Sequence, residues 1–235
     1  METPHYELLG DSAIQVLFGR LVDDALLARV HRFARELAAL QLPCISDIVP
    51  AYASVTVHYN VLQLPVEGDV PPMAVLQAAL TEANARAGLS YDDQSPLSDQ
   101  VIDLPVCYGG EYGPDLAWLA EQKQLTADDL IALHCAVHYR VAMIGFAPGF
   151  CYLAGLDSRL HTPRRAQPRT QVPAGSVAIG GNQTGVYPAD LPGGWHLIGR
   201  TPLSMFDPTC APYARVQPGD RVRFVPLPHN EWPAR

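Results

Sequence analysis

Residues 144–202 hold the feature that most limits what this chain can become: glycine or proline every few residues, with aromatics set between them. The stretch reads I-G-F-A-P-G-F-C-Y-L-A-G-L, then T-P-R-R-A-Q-P-R-T-Q-V-P-A-G-S-V-A-I-G-G-N-Q-T-G-V-Y-P, then P-G-G-W-H-L-I-G-R-T-P. Neither a helical nor an alternating period survives in it, so a long helix or a long strand is excluded. Glycine permits positive φ and close backbone approach, and proline fixes φ. Phe146, Phe150, Tyr152, Tyr187 and Trp195 need burial or a ligand face, which excludes a solvated linker. The stretch predicts rigid loops between short strands. Two readings of it stand: a β-barrel that simply needs many tight turns, or loops that carry a site on such a scaffold.

The N-terminal part is patterned differently. Ile14, Val16 and Phe18 alternate as a half-buried strand does, after a first short strand over 5–9. Leu26, Leu27, Val30, Phe33, Ala34 and Leu37 recur at helical spacing, which predicts a helix over 22–39 stopped by Pro43. Strands follow at 44–49 and 53–59, then a helix opened by Pro71-Pro72 and closed at Gly88. With one more strand at 101–107 this order makes a ferredoxin-like β-α-β-β-α-β unit. The polar, turn-rich run 88–100 marks the domain boundary, set at 95/96. Beyond it, Pro114 starts a short helix and the Thr126/Asp129 pair caps another through Cys135. Short strands are expected at 137–143, 176–179, 196–199, 203–207 and 221–225, enough for a closed barrel. The fold class is therefore α+β.

Charge separates the same two parts. Residues 1–143 carry 19 acidic and 7 basic side chains, residues 144–235 carry 5 and 9. The overall net charge of −8 argues against nonspecific nucleic-acid binding. Charged residues are 17% of the chain, below the roughly one quarter of average domains, which leaves neutral surface for a partner. Five cysteines without a C-x-x-C pair suggest neither a disulfide framework nor a zinc ribbon. No export signal or membrane span is legible, so a cytoplasmic location is expected.

Several motifs in fixed order carry a resemblance: G-F-A-P-G-F at 145–150, P-R-R-A-Q-P-R at 163–169, V-P-A-G-S-V at 172–177, Q-T-G-V-Y-P at 183–188, P-G-G-W at 192–195 and I-G-R-T-P at 198–202. With P-V-C-Y-G-G-E-Y-G-P-D-L at 105–116, they resemble the KipI / allophanate hydrolase subunit 1 family, which includes the B component of prokaryotic 5-oxoprolinase. The resemblance implies an N-terminal KipI-like domain over 1–95 and a cyclophilin-like β-barrel over 96–235. It implies ATP-dependent opening of 5-oxo-L-proline to L-glutamate, with ATP and Mg used at the level of a complex. The implied partners are a 5-oxoprolinase C component like allophanate hydrolase subunit 2 and an A component of the LamB/YcsF type. Two further roles occur in the family: contact inhibition of a sensor histidine kinase, and the carboxyltransferase half of a urea carboxylase.

The candidate residues follow from both readings. Arg164 and Arg169 of the P-R-x-x-x-P-R motif suit an anionic group, with the neighbouring Arg165 expected to face away. Gly175 and Ser176 offer backbone amides and a hydroxyl for an oxyanion, or else a plain strand entry. Gln183 joins Arg164, Arg169 and Ser176 as a catalytic candidate. Phe146, Pro148, Gly149, Phe150, Tyr152, Gly175, Thr184, Tyr187 and Trp195 are substrate-binding candidates, although core packing is the commoner fate of such aromatics. Cys151 has no base implied nearby and is rejected as a nucleophile. His134 and His138, four apart, lack a third ligand and read as core or capping residues. No metal is expected in this chain. Gly180 to Gly185 resembles a phosphate loop in composition only, and Lys123, the sole lysine, lies outside it.

Overall fold

The computed structural model describes residues 3–20, 22–64, 71–89 and 101–233. The chain divides into two compact units, 1–97 and 98–235. The expected boundary at 95/96 lies outside the described residues.

In the first unit β1 (His5–Leu8) and β2 (Ala13–Leu17) form a hairpin, followed by α1 (Asp24–Ala39), β3 (Ile45–Ala51), β4 (Ser54–Tyr59) and α2 (Pro72–Leu89). The Asp23 carboxylate accepts the Leu26 amide at 2.7 Å and starts α1. The sheet runs β1-β2-β4-β3, antiparallel throughout. Val16, Val55 and Val57 pack with Phe33 and Leu37 of α1 and Leu76 and Leu80 of α2. The expected ferredoxin-like order is corrected here. The strand at 101–107 does not join this sheet, and β1 is instead the strand that pairs beside β2.

That strand, β5 (Val101–Tyr108), opens the second unit. After it come α3 (Leu116–Gln122), α4 (Ala127–Cys135), β6 (Tyr139–Ile144), β7 (Cys151–Ala154), β8 (Arg169–Val172), β9 (Ser176–Gly180), β10 (Gln183–Val186), β11 (Leu191–Gly193), β12 (His196–Arg200) and β13 (Arg221–Pro226). Seven of these strands close a barrel in the order β10-β7-β6-β13-β5-β12-β9, while β8 and β11 pair separately. β5 lies parallel to β13 and antiparallel to β12, which buries Leu104, Val106 and Cys107. Parallel strands need cover on both faces, so this hydrophobic strand is spent in the barrel. Residues 203–207 form no strand; they contribute one bridge, Phe206 to Ala214.

Polar groups inside the barrel are aligned in one direction. The Thr184 hydroxyl donates to the Ala178 carbonyl at 3.0 Å, so it accepts from His134 Nε2 at 2.9 Å. That leaves His134 Nδ1 as an acceptor for the Tyr108 hydroxyl at 2.8 Å, and the Cys135 thiol then donates to Tyr108 at 3.4 Å. Burial pushes the His134 pKa down to about 3, so the ring is neutral. His138, four residues on, is exposed whereas His134 is fully buried.

Thr184→Val should lower stability by about 1–3 kcal/mol in urea unfolding, because it strands a buried N–H and a buried carbonyl. The unfolded chain protonates His134 near its ordinary 6.5 whereas the fold resists to about 3. His134 therefore costs no stability above pH 6.5, and its cost grows as pH falls from there toward 3. The difference in unfolding free energy between the wild type and His134→Gln should shrink over that range.

Candidate functional site

Strand alternation gives the barrel wall two different faces. Val177 and Ile179 of β9, Cys151 and Leu153 of β7, and Thr184 and Val186 of β10 face the interior. Their neighbours Ala178, Gly180 and Gly185 face outward and are small. On this smooth outer wall lie Phe150, Tyr187 and Trp195, all buried, with Tyr152 beside them. A Cβ at Gly180 would stand 2.6 Å from the Trp195 indole, so only glycine lets the ring lie there. Phe150 meets Tyr187 and Trp195 edge to face at 5.1 and 5.6 Å, the arrangement favoured by aromatic quadrupoles.

Phe146 completes the group from a loop. It is 62% exposed and has a φ of +69°, in a turn closed by the Ala147 amide on the Gly145 carbonyl at 2.8 Å. An aromatic residue with positive φ is strained, and such strain collects at ligand sites. Its ring stands at right angles to Phe150 and Tyr187.

These rings enclose a cavity of about 210 Å³, rimmed by Arg164, Arg165, Pro168 and the Pro192-Gly193-Gly194 corner. The Arg164 guanidinium lies 5.9 Å from the centre of the Trp195 ring. Among the described residues Arg164 makes no ion pair. Burial raises the pKa of the Tyr152 and Tyr187 hydroxyls, Arg164 opposing it in both, so both remain neutral donors.

The arginine loop is anchored from behind by Asp115, at the start of α3. The Arg169 fork binds both carboxylate oxygens at 2.9 and 2.8 Å, and Arg165 reaches one at 3.3 Å. The Leu197 amide of β12 donates to the same group at 2.7 Å. Burial alone would raise the carboxyl pKa, but Arg169, the Leu197 amide and Arg165 together hold it below the usual carboxylate range.

The structure thus brings together Phe146, Phe150, Tyr152, Arg164, Tyr187 and Trp195, and leaves other candidates outside. Arg169 is committed to Asp115, and Arg165, expected to face away, lines the cavity. Residues 166 and 167 form a bend, and Arg165 and Arg169, four apart, both reach Asp115. Thr184 serves the interior, and Ser176 is buried at the start of β9, where its carbonyl accepts the Tyr187 amide at 2.9 Å. Gln183 sits on β10 beside the hairpin turn, Pro148 is exposed, and Gly149 packs against Met205 and Phe206. Gly175 borders a different cavity. Cys151 is buried, its thiol pushed up to about 11 by burial. Asp115 had no local sign in the sequence beyond its place in G-P-D-L.

The sequence profile of the carboxyltransferase domain, subdomains C and D, matches residues 4–216. The chain belongs to this family. Within the carboxyltransferase-domain family, a protein of Bacillus subtilis named as the B component of 5-oxoprolinase is 38% identical over 232 residues, covering 97% of this chain and 95% of that one. The protein of the same name from Escherichia coli O157:H7 is 41% identical over 226 residues, covering 96% and 97%. The crystal structure of TTHA0988 superposes with a TM-score of 0.78 at 31% identity; it covers 95% of this chain, which spans 41% of that longer one. The Kluyveromyces lactis urea carboxylase, at 20% identity and a TM-score of 0.73, shares the fold over 97% of this chain and 22% of its own length.

Asp115→Ala should cost about 3 kcal/mol, since it leaves two partly buried guanidinium groups and an amide without their acceptor. Arg164→Gln should change stability by no more than about 0.5 kcal/mol. Urea unfolding of the two variants separates the anchoring residue from the free one.

Proposed function

We propose that this chain is one component of an ATP-dependent 5-oxoprolinase, opening 5-oxo-L-proline to L-glutamate together with a C component like allophanate hydrolase subunit 2 and a LamB/YcsF-type A component. Two relatives that match nearly all of the chain are named as the B component of 5-oxoprolinase. The observation that carries the site assignment is an aromatic cavity of about 210 Å³ with the unpaired Arg164 at its rim. The volume is below the roughly 300–1,000 Å³ of drug-sized pockets, so it suits a small ring. A five-membered lactam bearing one carboxylate matches both parts. Its flat ring fits between Phe146, Tyr187 and Trp195, and its carboxylate faces the Arg164 fork.

The division of labour follows. Arg164 orients the acid by charge-assisted hydrogen bonds, and the aromatic walls exclude water from the ring. In this reading a neutral tyrosine hydroxyl of the lining, Tyr152 or Tyr187, donates to the lactam carbonyl oxygen. Arg165 adds positive charge at the rim and is restrained by Asp115. This cavity does not fit ATP. Its lining holds no acid to take Mg and no lysine, and the Lys123 amine is engaged by the His161 carbonyl. In this reading ATP with Mg is used at the level of the complex, outside the aromatic cavity. Among the described residues no helix is long and apolar enough to cross a membrane. A cytoplasmic site of action is part of the same proposal.

The test is glutamate release from 5-oxoproline by the chain reconstituted with its A and C partners. Omitting this chain should abolish turnover. Arg164→Gln should reduce kcat/KM by about 10- to 150-fold, the loss of one charge-assisted bond. Arg164→Lys should recover only part of it. Full turnover without this chain, or with Arg164→Gln unchanged, would refute the assignment.

A further inference from the structure

A second cavity in the barrel unit, about 330 Å³, is lined by Ala174, Gly175, Arg200, Thr201, Ser204 and Trp232 among others. It is larger than the aromatic cavity and distinct from it. Tyr187 lines one and Pro188 the other, and the Gly175 amide bonded to the Tyr187 carbonyl at 2.7 Å fixes the wall between them. Gly175 has a φ of +82°, and a Cβ there would stand 2.3 Å from the Thr201 carbonyl oxygen, so this wall tolerates no side chain.

Arg200 is the charged group of this cavity and is held in place before any ligand arrives. Its Nε donates to the Ala174 carbonyl at 2.7 Å, and its guanidinium lies 5.7 Å from the centre of the Trp232 ring. Trp232 is in turn stacked on Tyr112 at 4.4 Å. Among the described residues Arg200 makes no ion pair, and no acid lines the cavity. Arg200 is half-buried, and Pro188, Pro202 and Leu203 line the same cavity. A cation in such apolar surroundings gains most from a counter-ion, because water screens it poorly. Its two Nη groups remain as a planar fork, the geometry that matches a phosphate. The Thr201 hydroxyl accepts the Leu203 amide at 3.3 Å and keeps its own proton to donate.

We propose that Arg200, with Trp232 and Thr201, forms a phosphate-binding site separate from the aromatic cavity, which takes inorganic phosphate or the terminal phosphate of a nucleotide. The site stands independently of the reaction proposed above, because phosphate binding is a property of this chain alone.

Isothermal titration of the full chain with inorganic phosphate, with ADP and with 5-oxoproline tests it. Phosphate should bind to the wild type, and Arg200→Gln should weaken it by about 10-fold or more, while 5-oxoproline binding stays unchanged. Arg164→Gln should do the reverse. ADP binding tighter than phosphate and equally sensitive to Arg200 assigns the site to a nucleotide; phosphate alone assigns it to the free anion. If Arg200→Gln fails to fold by circular dichroism, Arg200→Lys replaces it, with a smaller but measurable loss expected. Absence of phosphate and ADP binding to the wild type, or binding insensitive to Arg200, would overturn the proposal. Loss of 5-oxoproline binding in the wild type alone would count against the aromatic cavity and leave the phosphate site standing.

Discussion

One carboxylate organises the candidate site without touching the cavity it serves. Asp115 receives the forked Arg169, the tip of Arg165 and the Leu197 amide, which draws together the start of α3, the arginine loop and β12. Such a cluster is stable only as a whole. Two guanidinium groups crowded together repel each other, and a buried acid alone is costly; each compensates the other. The consequence is a loop with one arginine tied down, one restrained, and one left over the Trp195 ring.

The same economy appears in the barrel wall. Strands β7, β9 and β10 have an inner face that packs a core and an outer face that lies against the aromatics. Small residues on the outside, Ala178, Gly180 and Gly185, are as necessary as the large ones they support. On the inside, the chain Cys135–Tyr108–His134–Thr184 satisfies its polar groups in sequence, ending on the Ala178 carbonyl. Ala178 thus belongs to both faces, its carbonyl to the interior network and its methyl to the outer wall. The cavity is coupled to the core through a backbone group.

Much of this was legible beforehand. Glycine and proline spacing over 144–202 excludes long elements and implies a strand-and-turn scaffold, because these two residues act on the backbone itself. The Thr126/Asp129 capping box and α1 were readable for the same local reason. The aromatic membership of the cavity was readable too, since five large rings next to glycine and proline corners have few places to go. The strand at 101–107, expected to complete the ferredoxin-like order, belongs to the barrel. β5 has the length and hydrophobicity of either sheet, and only its pairing with β13, more than a hundred residues later, decides between them.

The sequence by itself determined the residue types available: an arginine-rich loop, an aromatic set, short strands and a neutral surface. Tertiary structure decided which arginine is free. Arg164, Arg165 and Arg169 are equivalent as letters, and the expected pairing of Arg164 with Arg169 does not follow even from strand alternation, which sets residues five apart on opposite sides. An acid some fifty residues upstream holds Arg165 and Arg169 together and leaves Arg164 over the cavity. Which charges neutralise each other is a long-range property, because attraction acts through space, and the chain's order does not encode the distance.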